Sequence, residues 1–102
     1  MDRVETLREV LARNPTDAFA RYGLALEYSN VGAVDQSLEE FGKLISAHPD
    51  YTAGYFMAAQ TLAKAQRTNE ARKMLEDGIS SAQRTNNAHA QSEMEAMLAD
   101  LQ

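Results

Sequence analysis

The chain contains only two prolines, Pro15 and Pro49, and they lie 34 residues apart. Proline disfavours the helical conformation in the residue before it, so each proline is typical of a point at which a helix ends. Between them, Gly32 predicts a turn, because glycine readily adopts the left-handed conformation that ends helices. A helix–turn–helix unit that recurs about every 34 residues is typical of α-helical repeat proteins.

The composition narrows the class of protein. The 102 residues, 44% of them hydrophobic and 25% charged, are the size of one globular domain, residues 1–102. There is no cysteine, which excludes disulfides and thiolate metal sites, and we expect no cofactor. With a net charge of −5 and scattered basic residues, we expect neither nucleic acid nor a membrane as partner. The charged start lacks the apolar core of a signal peptide, so we expect a cytoplasmic protein.

Apolar residues at helical spacing predict about six helices. The first covers 2–13, and its apolar stripe consists of Val4, Leu7, Val10 and Leu11. The second has Thr16 or Asp17 as its N-cap and runs to about Asn30. The others are expected at about 34–47, at about 52–65, from about 69 onward and within 86–102.

Comparing the chain with itself at an offset of 34 residues aligns the apolar positions of both helices in each hairpin. The aligned pairs are Tyr22 with Phe56, Leu24 with Ala58, Ala25 with Ala59, Tyr28 with Leu62, Phe41 with Leu75 and Ile45 with Ile79. One period earlier, Leu7 and Leu11 align with Phe41 and Ile45. The first helix is therefore predicted to be the second half of a hairpin, and Phe41 and Leu75 are predicted to be core residues.

The last segment departs from this alignment. Its apolar stripe (Met94, Met97, Leu98 and Leu101) begins 5 residues later than a continued repeat would place it. Two explanations are open: the fifth helix runs past Gln83, or the turn at 85–87 is longer. Terminal repeats are commonly atypical, because one of their faces must be wettable.

These residues resemble the tetratricopeptide repeat family. The matching positions are Leu24-Ala25, Tyr28, Gly32, Ser37, Phe41 and Pro49 in the first repeat, and Tyr55, Ala58-Ala59, Leu62, Ala71 and Leu75 in the second. Three residues depart from the pattern: Arg21 replaces a usual Trp, Gln66 a Gly and Gln83 a Pro. The resemblance implies an all-α fold, an antiparallel helix-hairpin α-solenoid with a right-handed superhelical stack. It divides the chain into an N-terminal half-repeat (1–14), two repeats (15–49 and 50–84) and a C-terminal capping helix (85–102).

The resemblance also implies a concave groove lined by the first helix of each hairpin. Its expected lining, and hence the expected partner-binding residues, are Phe19, Tyr22, Leu26, Asn30, Phe56, Gln60 and Lys64. Some family members hold a C-terminal carboxylate with Lys and Asn, but Tyr22 and Leu26 occupy those places here, which disfavours a chaperone-tail clamp. Burial is the alternative for the aromatic residues: Phe19 beneath the first helix, and Phe56 between the hairpins.

No arrangement of side chains in the sequence indicates catalysis, and we expect no enzyme. His89 and Glu93 have the i, i+4 spacing of a metal edge but lack a third ligand. Glu39 and Glu40 are interpreted as a solvated face, because consecutive residues of a helix do not face each other. The leading hypothesis is a protein–protein interaction module that binds a peptide or helix in a short apolar groove. The alternative is a structural protein that associates with itself.

Overall fold

A computed structural model describes residues 2–101, and within that range it contains six α-helices and no strand. The helices are α1 (Arg3–Arg13), α2 (Ala18–Asn30), α3 (Val34–Ala47), α4 (Thr52–Lys64), α5 (Thr68–Arg84) and α6 (Ala88–Asp100). The all-α, six-helix prediction is confirmed, and α3 has the predicted bounds.

Three helices begin with a side-chain cap. Asp2 accepts a hydrogen bond from the backbone N–H of Glu5, and Asp17 accepts one from that of Ala20. Asn87 makes the same bond at the start of α6. An N-cap side chain satisfies one of the backbone donors that the first turn leaves free. Of the two candidates for the cap of α2, the structure uses Asp17.

The same three-residue turn occurs three times, between α2 and α3, between α4 and α5, and between α5 and α6. Its central residue has a positive φ, which is 79° at Gly32, 63° at Gln66 and 55° at Asn86. In each turn the next residue donates its N–H to a carbonyl five positions back, as in the Schellman motif: Ala33 to Tyr28, Arg67 to Leu62, and Asn87 to Ala82. Gln66 thus occupies a left-handed position without being glycine.

The length of α5 accounts for part of the displacement of the apolar stripe of α6. The helix has 17 residues, against 14 in α3, and it ends at Arg84 rather than before Gln83. The turn that follows has three residues, as the other two have. The first of the two open explanations is therefore correct, and the second is wrong.

The helices pack in chain order. α1 lies against α2, α2 pairs with α3, α3 lies against α4, α4 pairs with α5, and α5 lies against α6. In addition, α2 contacts α4, and α4 contacts α6. The faces of α2, α4 and α6 therefore lie side by side. The largest side chains that are fully buried between the helices are Phe41, Leu44, Leu75 and Met94.

Of the five glycines, Gly78 in α5 leaves the least room for a side chain. A Cβ atom added there would lie 2.7 Å from the Cβ of Tyr55 and 2.5 Å from the sulfur of Met94. Gly78 therefore allows α4 and α6 to pack against α5 at one level. The predicted core positions Phe41 and Leu75 are both fully buried.

One sequence prediction about the surface was wrong. Glu39 is exposed, but Glu40 is buried, and its Oε1 lies 2.6 Å from Nη1 of Arg21. The side chains of Arg21 and Glu40 are only 17% and 12% exposed. Glu40 lies on the side of α3 that faces α2, where the arginine supplies the counter-charge that a buried carboxylate needs.

Candidate partner-binding groove

The residues predicted to bind a partner lie on two neighbouring helices and at their ends. On α2 they follow helical spacing, and on α4 Phe56, Gln60 and Lys64 are each four residues apart. Residues at this spacing share a face of a helix. A hydrogen bond of 2.8 Å between the hydroxyls of Ser29 and Thr61 joins α2 to α4 beside these faces.

Phe19 is the most exposed large hydrophobic residue among those described, with 76% of its surface accessible. It lies in the first turn of α2. The structure therefore does not place it beneath α1. An aromatic side chain left open at a helix start is available to a binding partner.

Tyr22 is half-buried, one turn further along α2. Its ring contacts that of Phe41 edge-on, with centroids 6.4 Å apart, and that of Tyr51 at 5.3 Å. Burial, with a smaller contribution from Tyr51, raises the pKa of Tyr22. Burial and the charge of Asp17 raise the pKa of Tyr51. Both phenols therefore remain protonated at neutral pH.

Leu26 is also half-buried, and it belongs to the same apolar cluster as Tyr22, Tyr51 and Met57. The sequence analysis did not include Tyr51 and Met57 in the groove. Met57 could have been found, since it is three residues before Gln60 and seven before Lys64, a spacing that shares their face. Tyr51 precedes α4, and no helical spacing identifies it. We call Phe19, Tyr22, Leu26, Tyr51 and Met57 the aromatic face.

Phe56 belongs to a different apolar cluster from Tyr22 and Leu26. It is half-buried against the cluster of Tyr55, Leu75 and Met94. It also lines a cleft of about 210 Å³ between the first turns of α4 and α6, whose lining is Thr52, Ala53, Phe56, Asn87, His89, Ala90 and Glu93. The structure therefore places Phe56 and Tyr22 in different apolar clusters. We call this space the α4–α6 cleft.

The polar members of the predicted set lie toward the C-terminal ends of the helices. Asn30 is the last residue of α2, Lys64 is the last residue of α4, and both are exposed. Gln60 is half-buried one turn earlier. These amide and ammonium groups flank the apolar residues rather than mixing with them.

The sequence analysis considered His89 and Glu93 as the edge of a metal site. Nε2 of His89 lies 3.3 Å from Oε1 of Glu93 on α6. Over residues 2–101, no group of three or more His, Asp or Glu side chains could hold a metal ion. In the same range, no helix combines the length and the apolar character that crossing a bilayer requires.

Comparison with known proteins identifies the fold. No family model matches the chain. A TPR repeat-containing protein of Pseudomonas aeruginosa is 26% identical over 98 residues, which are 96% of this chain and 93% of that protein. The solution structure of a tetratricopeptide repeat domain protein from Salinibacter ruber is 26% identical, with a TM-score of 0.81 over 87% of this chain and 90% of that one. The TPR2B domain of yeast Sti1, in complex with pHsp70, has a TM-score of 0.88 and 17% identity over 96% of this chain and 78% of that one.

Proposed function

We propose that this chain, which has the fold of tetratricopeptide-repeat proteins, binds a segment of another protein across the neighbouring faces of α2 and α4. In this proposal residues 15–49 and 50–84 are the two repeat units, and the helices before and after them extend the surface. The partner-binding residues are Phe19, Tyr22, Leu26, Asn30, Phe56, Gln60 and Lys64, with Tyr51 and Met57 added.

The observation that carries the proposal is the exposure of Phe19 beside the half-buried Tyr22 and Leu26. An isolated exposed apolar residue needs no explanation, but an exposed aromatic residue next to a partly covered aromatic cluster is typical of an interface. A partner side chain placed on Phe19 and Tyr22 would bury both rings without moving the helices.

The chemistry of the face favours apolar recognition. The yeast Sti1 domain with this fold is in complex with pHsp70. In this chain Tyr22 and Leu26 occupy the places where carboxylate-binding relatives carry Lys and Asn. We therefore propose that the partner is recognised through apolar side chains, with Asn30, Gln60 and Lys64 setting its position along the groove. A face this short suits micromolar or weaker binding, about −8 kcal/mol or less in magnitude.

The net charge of −5 bears on the class of partner. Nucleic acids and anionic membranes carry dense negative charge and bind chiefly through clustered Lys and Arg. We therefore propose that the partner is a protein, and that the protein acts by binding rather than by catalysis.

The experiment compares two single substitutions in a pull-down from the lysate of the native host. Phe19→Asp places a charge on the aromatic face, at a residue that is 76% exposed and has little structural role. Val31→Asp is the matched control, because Val31 is 75% exposed but lies in the turn after α2. Circular dichroism first establishes that both variants fold.

A partner that wild type and Val31→Asp capture, and Phe19→Asp does not, supports the proposal. Capture that Phe19→Asp leaves unchanged contradicts it. If all three proteins retain only further copies of themselves, and the mass in solution rises with concentration, self-association replaces the proposal.

A further inference from the structure

The α4–α6 cleft lies at the N-terminal ends of two helices that run side by side, and its size suits one side chain rather than a whole peptide. We propose that it receives a Lys or Arg side chain of the partner segment. This inference rests on the proposed function, since it names the chemistry that the partner must carry.

The walls of the cleft fit the aliphatic part of a basic side chain. Phe56 lines one side from α4, Ala53 lies one turn before it, and Ala90 lies opposite on α6. Lys and Arg have apolar stems that cover such surfaces while the charged head stays in water. The face of an aromatic ring also attracts a cation, and Arg does so most often.

The cleft has a carboxylate among its lining residues. Glu93 is one of its lining residues, and its side chain is 50% exposed. Oε1 of Glu93 lies 3.3 Å from Nε2 of His89, and the second carboxylate oxygen can accept a hydrogen bond from a ligand. Of the described residues that line the cleft, none is a lysine or an arginine.

A neighbouring open cleft of about 710 Å³ continues this surface. The two share Thr52, Ala53, Asn87 and His89. The larger one adds Asp50, whose carboxylate already binds Arg84 at 2.9 Å. Glu93 is therefore the carboxylate of this surface that a guanidinium or ammonium group of the partner would reach.

The charge of the whole chain acts in the same direction. With 15 acidic and 10 basic residues, the protein attracts cationic segments and repels anionic ones. The inference is thus of opposite sign to a carboxylate clamp: the bound segment combines apolar side chains on the aromatic face with a basic one in the cleft.

The test uses probes of one residue and does not require the partner. N-acetyl-arginine amide, N-acetyl-lysine amide, N-acetyl-norleucine amide and N-acetyl-glutamate amide are titrated into the isotope-labelled protein and followed by two-dimensional NMR. The arginine or the lysine probe is expected to shift the amide signals of Ala53, Phe56 and Ala90 saturably. The norleucine probe is expected to bind about threefold more weakly, which is the size of one exposed ion pair, and the glutamate probe more weakly still.

Two substitutions distinguish a specific effect of the Glu93 carboxylate from the effect of the overall negative charge of the protein. Glu93→Gln is expected to weaken binding of the cationic probe about threefold, to the level of the norleucine probe. Glu95→Gln is the matched control, because Glu95 lies on α6 with the same charge but outside the cleft lining, and it should leave binding unchanged.

Equal binding of the arginine, lysine and norleucine probes overturns the inference. So does an unchanged affinity in Glu93→Gln, or a set of shifted signals that excludes the cleft. These outcomes leave the Phe19 pull-down untouched, so the inference can fail while the proposed function stands. If the probes behave as expected but Phe19→Asp captures the same partner as wild type, the cleft inference stands and the proposed function fails.

Discussion

Arg21 on α2 and Glu40 on α3 form a largely buried ion pair at 2.6 Å inside the first hairpin. Nη2 of Arg21 also donates to the backbone oxygen of Pro15, so the guanidinium holds the start of α2 as well. Lys43 lies 3.7 Å from the other oxygen of Glu40 but is half-exposed. Arg21 is also the residue that stands in place of the usual Trp of the repeat pattern.

Removing Arg21 alone is expected to be destabilising. Arg21→Leu should lower the free energy of unfolding by about 3 kcal/mol, because a buried carboxylate loses its main partner. The double variant Arg21→Leu/Glu40→Leu should recover most of that loss, because no buried charge remains. Urea unfolding of Arg21→Leu, Glu40→Leu and the double variant measures the interaction free energy between the two side chains. Strict additivity of the two single effects would contradict a specific pair.

Gly78 should not accept a methyl group. Gly78→Ala is expected to destabilise the protein by about 1–3 kcal/mol, because the added Cβ would overlap the Cβ of Tyr55. Gly42→Ala is the matched control in α3, where a Cβ meets nothing within 4 Å. That change should stabilise by about 0.5–1 kcal/mol through helix propensity. Thermal melting of both proteins is the measurement, and melting shifts of the same sign would be evidence against the packing at Gly78.

The left-handed turns predict two changes of opposite sign. Gln66→Gly should stabilise the protein by about 0.5–1 kcal/mol, because it removes the strain of a side chain at a φ of 63°. Gly32→Ala should destabilise it by about 1 kcal/mol for the converse reason. Chemical denaturation measures the stability of both variants. Ala65→Gly is the control, because Ala65 is next to Gln66 but has a negative φ, so this substitution should not stabilise the protein.

The aligned core positions Phe41 and Leu75 should be equally sensitive. Phe41→Ala and Leu75→Ala are each expected to lower the free energy of unfolding by about 3 kcal/mol, since both side chains are fully buried. Val31→Ala, at an exposed position, should change it by less than about 0.5 kcal/mol. Unfolding curves of the three variants measure these differences. A small change in the free energy of unfolding at either core position would refute the alignment of the repeats.

The raised pKa values of Tyr22 and Tyr51 predict a loss of stability in alkali. The pKa values of Tyr22 and Tyr51 are raised in the folded protein, so their contribution is complete below the ordinary phenol pKa of about 10 and declines as the pH rises through the folded values. Tyr22→Phe/Tyr51→Phe should reduce this decline. Denaturant midpoints measured at increasing pH, together with phenolate absorbance, test this prediction. An identical fall in stability in wild type and variant would argue against raised pKa values of the two tyrosines.

Much of the fold could be predicted because its signals are local. Pro15 and Pro49 set the period, and apolar spacing located each helix to within a few residues. The late stripe at Met94 predicted either a longer fifth helix or a longer turn, and the structure has the longer helix. Asn86 has the same left-handed conformation as Gly32. Asparagine tolerates this conformation but also occurs in many others, so its presence in the sequence did not predict the turn.

The remaining features depend on which helix faces which. The burial of Glu40 follows from Arg21, which lies 19 positions away, and no periodicity within α3 reveals it. The same holds for the separation of Tyr22 from Phe56. The two residues align at the repeat offset, yet they belong to different apolar clusters.

The repeated turn on either side of α5 has a consequence for cooperativity. α5 is a partner in two hairpins, with α4 before it and α6 after it, and Gly78 brings all three helices together at Tyr55 and Met94. Such a triplet cannot lose one helix without exposing the core of the others, so it forms one unfolding unit. α1 contacts α2 alone and can detach without opening that core. We therefore expect the C-terminal helices α4 to α6 to unfold together and α1 to unfold locally before them.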